Sequence, residues 1–256
     1  MDIGIMSGHH DYVKFLVLGR SRTGSNYLRG LLNSHSQIVV FGEIFKNYQA
    51  IEWGMDGYPQ SGLALKLFQN DPAGFLDRVV FGRYPKNTAA VGFKLFYYHA
   101  QQGELNRIWS HIKLRTDIRI LHVKRKNILR THLSRQRAEL TDKWANLDGE
   151  REDERHISLD YEKCLQDFVQ TRQWEEQADR FFTDHPILEV FYENLTSDFD
   201  REVGRIQDFL GVEKQALKAD IFKQSHLPLS HVIVNYTELK EKFQNTPWEE
   251  FFQESA

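Results

Sequence analysis

The stretch from Gly19 to Tyr27 holds the residue types and spacing that could do chemistry. Phe15-Leu16-Val17-Leu18 is apolar, Gly19-Arg20-Ser21-Arg22-Thr23-Gly24-Ser25-Asn26 is small, polar and basic, and an apolar period resumes at Tyr27, Leu28, Leu31 and Leu32. The pattern is a strand, a tight loop and a helix N-terminus. First-turn N–H groups at such a junction have no intrahelical acceptor and suit a phosphate. The Gly19–Gly24 spacing matches the first half of the nucleotide loop G-x-x-x-x-G-K-[ST]. Its second half is missing: Ser25 stands at the Lys position, and Asn26 at that of the hydroxyl that ligates Mg²⁺. A kinase or ATPase would lose both its phosphate cation and a metal ligand. Arg20 and Arg22 place charge in the turn instead, which suits a phosphate that needs no metal. A plain strand–turn–helix with surface arginines is the bland alternative.

A second basic site follows. Ile118–Val123 reads as a strand running into Lys124 and Arg125, and Asn127–Leu140 as a helix. Lys113, Arg115, Arg119, Lys124, Arg125, Lys126, Arg130, Arg135 and Arg137 face only Asp117 in this region. A solvated helix face would explain them, yet anions bind at strand-to-helix turns in open α/β sheets. A third segment, Val190-Phe191-Tyr192-Glu193-Asn194-Leu195-Thr196-Ser197-Asp198, reads as a buried strand and turn. A helix then starts near Thr196 or Ser197 and stops at Gly211, a C-cap.

Arg22-Thr23-Gly24-Ser25-Asn26-Tyr27-Leu28 resembles the 5′-phosphosulfate loop of sulfotransferases, and Leu31-Leu32-Asn33-Ser34-His35 resembles its continuation in the bacterial, nodulation-type branch. The two later segments resemble the family's 3′-phosphate site and its Tyr-Glu-Asp-Leu … Phe-Leu-Gly segment, with Asn194 in place of Asp. The resemblance runs from about Phe15 to Val212. It implies sulfuryl transfer from 3′-phosphoadenosine 5′-phosphosulfate (PAPS), without a metal, to a hydroxyl of a carbohydrate or glycolipid. It also implies that Arg20, Arg22, Thr23, Gly24, Ser25, Asn26 and Tyr27 hold the 5′ side of the donor. Arg125 and Ser134 would hold the 3′-phosphate. The spacing is one residue longer than in the cytosolic animal enzymes, so Lys124 or Arg130 are alternatives. Tyr192 would lie by the adenine, or else in the core.

Sulfuryl transfer needs charge stabilisation of the leaving phosphate and a base for the acceptor hydroxyl. Arg22 and the amides around Gly24 can serve the first need. Glu43, after the short strand Ile38–Phe41, is the first choice for the base and resembles the catalytic Glu of trehalose-type bacterial sulfotransferases. His99 and His35 are weaker contenders. Lys94 is charged within an apolar strand, a costly placement unless it is paired, functional or snorkelling. In the family a comparable Lys approaches the transferred group. Cys164 has no cysteine partner, and His9-His10 lacks metal-ligand spacing. The rivals are a P-loop kinase and a nucleotide-binding module without catalysis.

Strands near Val13–Leu18, Ile38–Phe41, Ala90–Leu95, Ile118–Val123 and Ile187–Phe191 must position these groups. They alternate with helices near Asn26–Ser34, Gln101–Arg115, Asn127–Leu140, Leu159–Phe182 and Asp200–Leu210. This is α/β, and the resemblance makes it a three-layer P-loop-like fold with a mostly parallel sheet flanked by helices. The 256 residues suffice for a single domain, 1–256. A net charge of −3 argues against general nucleic-acid binding. The single cysteine suits a reducing compartment, and no apolar run of membrane-spanning length occurs, so a cytoplasmic enzyme is expected. The tail Asn235–Phe252 reads as helical and packs on the domain or on a second copy in a homodimer. Ile51–Thr88 carries no usable motif. Trp53, Tyr58 and Trp144 read as loop aromatics, either surface anchors or sugar stackers. The charged stretch Asp148–Arg155 reads as a solvated loop or a lid over the acceptor.

Overall fold

The computed structural model describes residues 8–141, 156–218 and 227–253. Five strands, β1 (Val13–Gly19), β2 (Ile38–Val40), β3 (Ala90–Phe96), β4 (Ile118–Lys124) and β5 (Ile187–Phe191), form one sheet in the order β2-β3-β1-β4-β5. Every pairing is parallel. Parallel strands are covered on both faces, and these are correspondingly rich in Val, Ile, Leu and Phe. The chain leaves β1 toward β2 and β3 on one side and reaches β4 and β5 on the other. The crevice over the carboxyl end of β1 is therefore a topological switch point, where ligands of open α/β sheets bind.

Ten α-helices complete the described chain: α1 (Ser25–Asn33), α2 (Gly62–Asn70), α3 (Pro72–Phe75), α4 (Arg107–Leu114), α5 (Ile128–Thr141), α6 (Tyr161–Phe181), α7 (Tyr192–Ser197), α8 (Phe199–Leu210), α9 (Leu229–Val232) and α10 (Tyr236–Lys242). Side chains alternate across β1. Phe15 and Val17 pack with Leu28, Leu31 and Leu32 of α1 and Val203, Ile206 and Leu210 of α8. Leu16 and Leu18 face the other layer, with Phe68, Phe75, Ile108 and Phe182. A third cluster joins α5 and α6 to the C-terminal tail through Phe168, Phe243, Phe251 and Phe252. The tail thus packs on its own chain.

The five strands lie where the apolar runs place them, each within a residue or two. The differences are local. The helix expected from Gln101 begins at Arg107, after a 3-10 turn at Gly103–Asn106, because Gly103 has φ +53°. A short helix starts directly at Tyr192 and breaks at Asp198, earlier than expected. Gly211, at φ +69°, caps α8 as read. Ile51–Thr88 contributes α2, α3 and a π-turn at Leu76–Val80. Trp53 is buried and stacks on Tyr58 at 5.1 Å, so both are core aromatics, neither surface anchors nor sugar stackers. Trp144 and Asp148–Arg155 lie outside the described residues. Among the described residues no helix is long and apolar enough to cross a membrane.

Candidate active site

The loop after β1 is set by two backbone conformations. Arg22 has φ +68° and Gly24 has φ +90°, both left-handed. Gly24 is the N-cap of α1, and no side chain caps that helix. The first-turn N–H groups are therefore left to a ligand or water. Thr23 Oγ1 donates to Arg20 O at 2.8 Å and closes the loop on itself. A Cβ at Gly24 would lie 2.2 Å from Tyr192 Cδ2, so the Tyr192 ring fills the space that glycine leaves. Tyr27 meets Tyr192 edge-on at 6.2 Å.

The second basic turn adjoins this loop. β1 and β4 are neighbours, with Gly19 opposite Val123. Arg22 Nε donates to Ser134 Oγ at 2.8 Å, and Arg125 Nη1 donates to Arg22 O at 3.3 Å. The Arg125 guanidinium sits 4.4 Å from the Tyr192 ring centroid, with Glu193 at 3.5 Å from its Nε. Glu193 also accepts from the Lys126 N–H at 3.1 Å and so braces the turn. The alternative cations are engaged elsewhere. Lys124 is held by Asp179 at 2.7 Å and by Glu189, and Arg130 donates to Leu227 O at 3.4 Å.

On the other flank of α1, Glu43, Lys94 and His99 come together. Lys94 is 1% exposed; its ammonium donates to Glu43 Oε1 at 3.0 Å and to Asn26 Oδ1. Asn26 thus spends its side chain on the buried lysine. His99 Nε2 lies 3.8 Å from Glu43 Oε2, and Lys46 Nζ 3.9 Å from the same oxygen. Burial alone would raise the Glu43 carboxyl, but Lys94, with His99 and Lys46, outweighs it and holds the carboxyl below its ordinary value. Burial pulls the Lys94 ammonium down, with Glu43 opposing. Burial also lowers His99 to about 4, leaving a neutral imidazole at neutral pH. His35 is used otherwise: its ring bonds Glu213 O at 2.8 Å and the Gln37 N–H at 3.0 Å.

Sequence reasoning missed the carboxylate beneath the loop. Asp167 of α6 pairs with Arg20 at 2.5 Å, with His132 at 3.1 Å and with Arg135. Arg135 also donates to Ser21 O at 3.3 Å, and Arg20 to Thr171 Oγ1. Burial opposes the Asp167 charge, but His132, Arg135 and Arg20 bring its pKa down to about 2. Arg20 therefore points to α6, and Arg22 is the loop arginine that faces Ser134. The available signal was a carboxylate one turn from Cys164 and Thr171 on the buried stripe of α6.

The residues present fit the phosphates of a nucleotide. The uncapped first-turn donors and Arg22 of one turn adjoin Arg125 and Ser134 of the other, Arg22 Nε lying 2.8 Å from Ser134 Oγ. Among the described residues no group of three or more His, Cys, Asp or Glu side chains could hold a metal ion.

A family model described as "Sulfotransferase family" matches residues 15–216. Nodulation protein H of Rhizobium tropici is 24% identical over 248 residues, 93% of this chain and 92% of that protein. Nodulation protein H of Rhizobium meliloti (strain 1021) is 25% identical over 246 residues, 93% and 94% of the two chains. Among solved structures, a sulfotransferase from Alicyclobacillus acidocaldarius aligns with a TM-score of 0.49 at 15% identity, over 90% of each chain. Mouse sulfotransferase SULT7A1, complexed with PAP, aligns with a TM-score of 0.44 at 12% identity, over 97% of this chain and 90% of that one.

Proposed function

The chain belongs to the sulfotransferase family, PAPS-dependent enzymes, and from that premise we propose that it sulfates a hydroxyl of a carbohydrate or glycolipid with Glu43 as general base. The observation that carries the base assignment is the contact of Glu43 with Lys94, which itself reaches Asn26 in the first turn of α1. Bound PAPS supplies the sulfuryl group and, as leaving group, a phosphate oxygen. The amides of the α1 first turn and the Arg22 guanidinium bind that phosphate and take up its growing charge. Arg125 and Ser134 bind the 3′-phosphate and fix the orientation of the donor. Tyr192 holds Arg125 and Gly24 in register. The Lys94 ammonium, buried and without bulk water, stabilises negative charge on the transferred group. It also holds Glu43 Oε1, so the acceptor proton goes to Oε2, the oxygen turned toward His99 and Lys46. The carbohydrate or glycolipid acceptor rests on the likeness to the nodulation proteins and on the family's chemistry.

Two measurements test this reading. PAP without Mg²⁺ should raise the melting temperature, since a ligand that binds only the folded state stabilises it, and ATP with Mg²⁺ should raise it less. Glu43→Gln should lower the rate of sulfuryl transfer from PAPS by about 100-fold or more while the PAP-induced shift persists. Undiminished turnover in this variant would refute Glu43 as the base.

A further inference from the structure

The turn after β3 sends three consecutive side chains to three places. Tyr97 goes inward, its hydroxyl 2.6 Å from His122 Nε2. His99 goes inward to Glu43. Tyr98 between them turns outward and is 38% exposed. The turn is held by a non-glycine residue in the left-handed region, Ala100 at φ +55°, which is itself buried and donates its N–H to Phe45 O at 3.0 Å. Such conformations persist only where the surroundings fix them, and they cluster at functional sites.

Besides packing on Phe96 at 5.8 Å, the outward Tyr98 makes three contacts that together locate a place beside the reacting centre. Its ring meets His99 edge-on at 5.2 Å. It meets the partly exposed Trp174 of α6 at 5.7 Å, tilted by 48°. Its hydroxyl accepts the Ser21 N–H of the phosphate loop at 3.3 Å. One aromatic corner therefore touches both the loop that grips the donor and the histidine that touches the base. We propose that this Tyr98–Trp174 corner seats the acceptor as an uncharged pyranose, its ring against the exposed aromatic surfaces and one hydroxyl turned inward past His99 to Glu43. This deepens, and rests on, the carbohydrate reading above. Two arguments set the ligand class. Rigid aromatic rings with polar edges give apolar contact at small entropic cost, as the C–H face of a sugar requires. The guanidinium nearest the corner, Arg20, lies 4.9 Å from the Trp174 ring and is already engaged by Asp167 at 2.5 Å and by Thr171 Oγ1, and Arg172 is engaged by Glu175 at 2.7 Å, so the sugar is seated on the aromatic surface these cations leave open rather than held by a charge. The exposed amide of Gln102, close along the chain, offers a donor and an acceptor for hydroxyls, and Gln101, whose nitrogen donates to His99 O at 3.1 Å, offers its amide oxygen.

The test is steady-state kinetics with PAPS and three neutral acceptors, maltotriose, cellotriose and chitotriose, with 4-nitrophenol as an aromatic comparison. Tyr98→Leu and Trp174→Leu should each raise the acceptor KM about tenfold, with kcat within twofold and PAP affinity unchanged. Tyr98→Phe keeps the ring and loses only the bond to Ser21, so its KM should match the wild type. Should Trp174→Leu fail to fold, quenching of wild-type tryptophan fluorescence by the best of the three sugars, reduced in Tyr98→Leu, supports the same seat. If sugars are sulfated equally well by wild type and both Leu variants, the corner is not the seat, although the carbohydrate reading survives. If Tyr98→Phe and Tyr98→Leu weaken PAP binding alike, with no separate change in acceptor KM, Tyr98 serves the loop through its hydroxyl and the proposal is wrong. If the wild type sulfates 4-nitrophenol and none of the sugars, the carbohydrate reading itself falls, and the pyranose seat with it.

Discussion

Arg22 Nε donates to Ser134 Oγ at 2.8 Å across 112 residues of sequence. This bond joins the two turns that the sequence singles out as anion sites, one after β1 and one after β4. Their adjacency follows from strand order, because β1 and β4 pair in parallel with Gly19 opposite Val123. A Cβ at Gly19 would lie 2.7 Å from Val123 O, so the closeness of the two turns depends on that glycine.

Gly24→Ala should damage the loop in two ways. Its φ of +90° strains any side chain, and the new Cβ would lie 2.2 Å from the Tyr192 ring. A loss of about 1–3 kcal/mol in urea unfolding is expected, together with loss of the PAP-induced thermal shift. Adding Tyr192→Ala removes the clash but not the backbone strain, so the double variant should recover only part of the stability that Gly24→Ala loses beyond Tyr192→Ala.

Lys94→Met removes the nearest charge that keeps Glu43 ionised. Burial, which raises the carboxyl, is then less opposed. The pKa of Glu43 should rise, and the acid limb of the kcat/KM profile should move to higher pH. The height of the profile should also fall, because the transferred group loses a buried cation. An acid limb that stays in place would show that Glu43 is not the group titrating there.

Asp167→Asn should destabilise the protein by about 3 kcal/mol at neutral pH, since the buried Arg135 and the partly buried Arg20 lose their shared carboxylate. The sign with pH is fixed by the depressed carboxyl, at about 2 when folded against an ordinary value of 3.8. Its contribution is complete above the ordinary value and disappears as pH falls through about 2. The gap between wild type and variant in urea midpoints should therefore be widest above pH 5 and should narrow toward pH 2.

Much of this site was legible because its groups sit at the ends of periodic elements. Strand, loop and helix at Gly19–Leu32 announce themselves by composition. Glu43, Lys94 and His99 each follow or lie within an apolar run whose parallel pairing brings the carboxyl ends together. What was illegible is tertiary. Asp167 meets Arg20 and Arg135 only because α6 crosses beneath the loop, and nothing near it in sequence foretells either partner. Lys124 reads as a free cation at a strand end until Asp179 and Glu189 close on it. Trp53 and Tyr58 lie in loop-like sequence, yet Phe75 of α3 packs 5.7 Å from Trp53, and Tyr58 packs on Trp53 and on Phe41. Gln101–Arg115 has a helical period, but Gly103 delays the helix, since period alone does not report backbone conformation.

The most direct test of a single nucleotide spanning both turns is calorimetric titration of PAP and of AMP, which lacks the 3′-phosphate, into wild type and Arg125→Ala. The expected result is that Arg125→Ala weakens PAP about 100-fold, through loss of a charge-assisted contact, and leaves AMP within about threefold. Equal weakening of both ligands, or none of either, would contradict the assignment of the β4 turn to the 3′-phosphate.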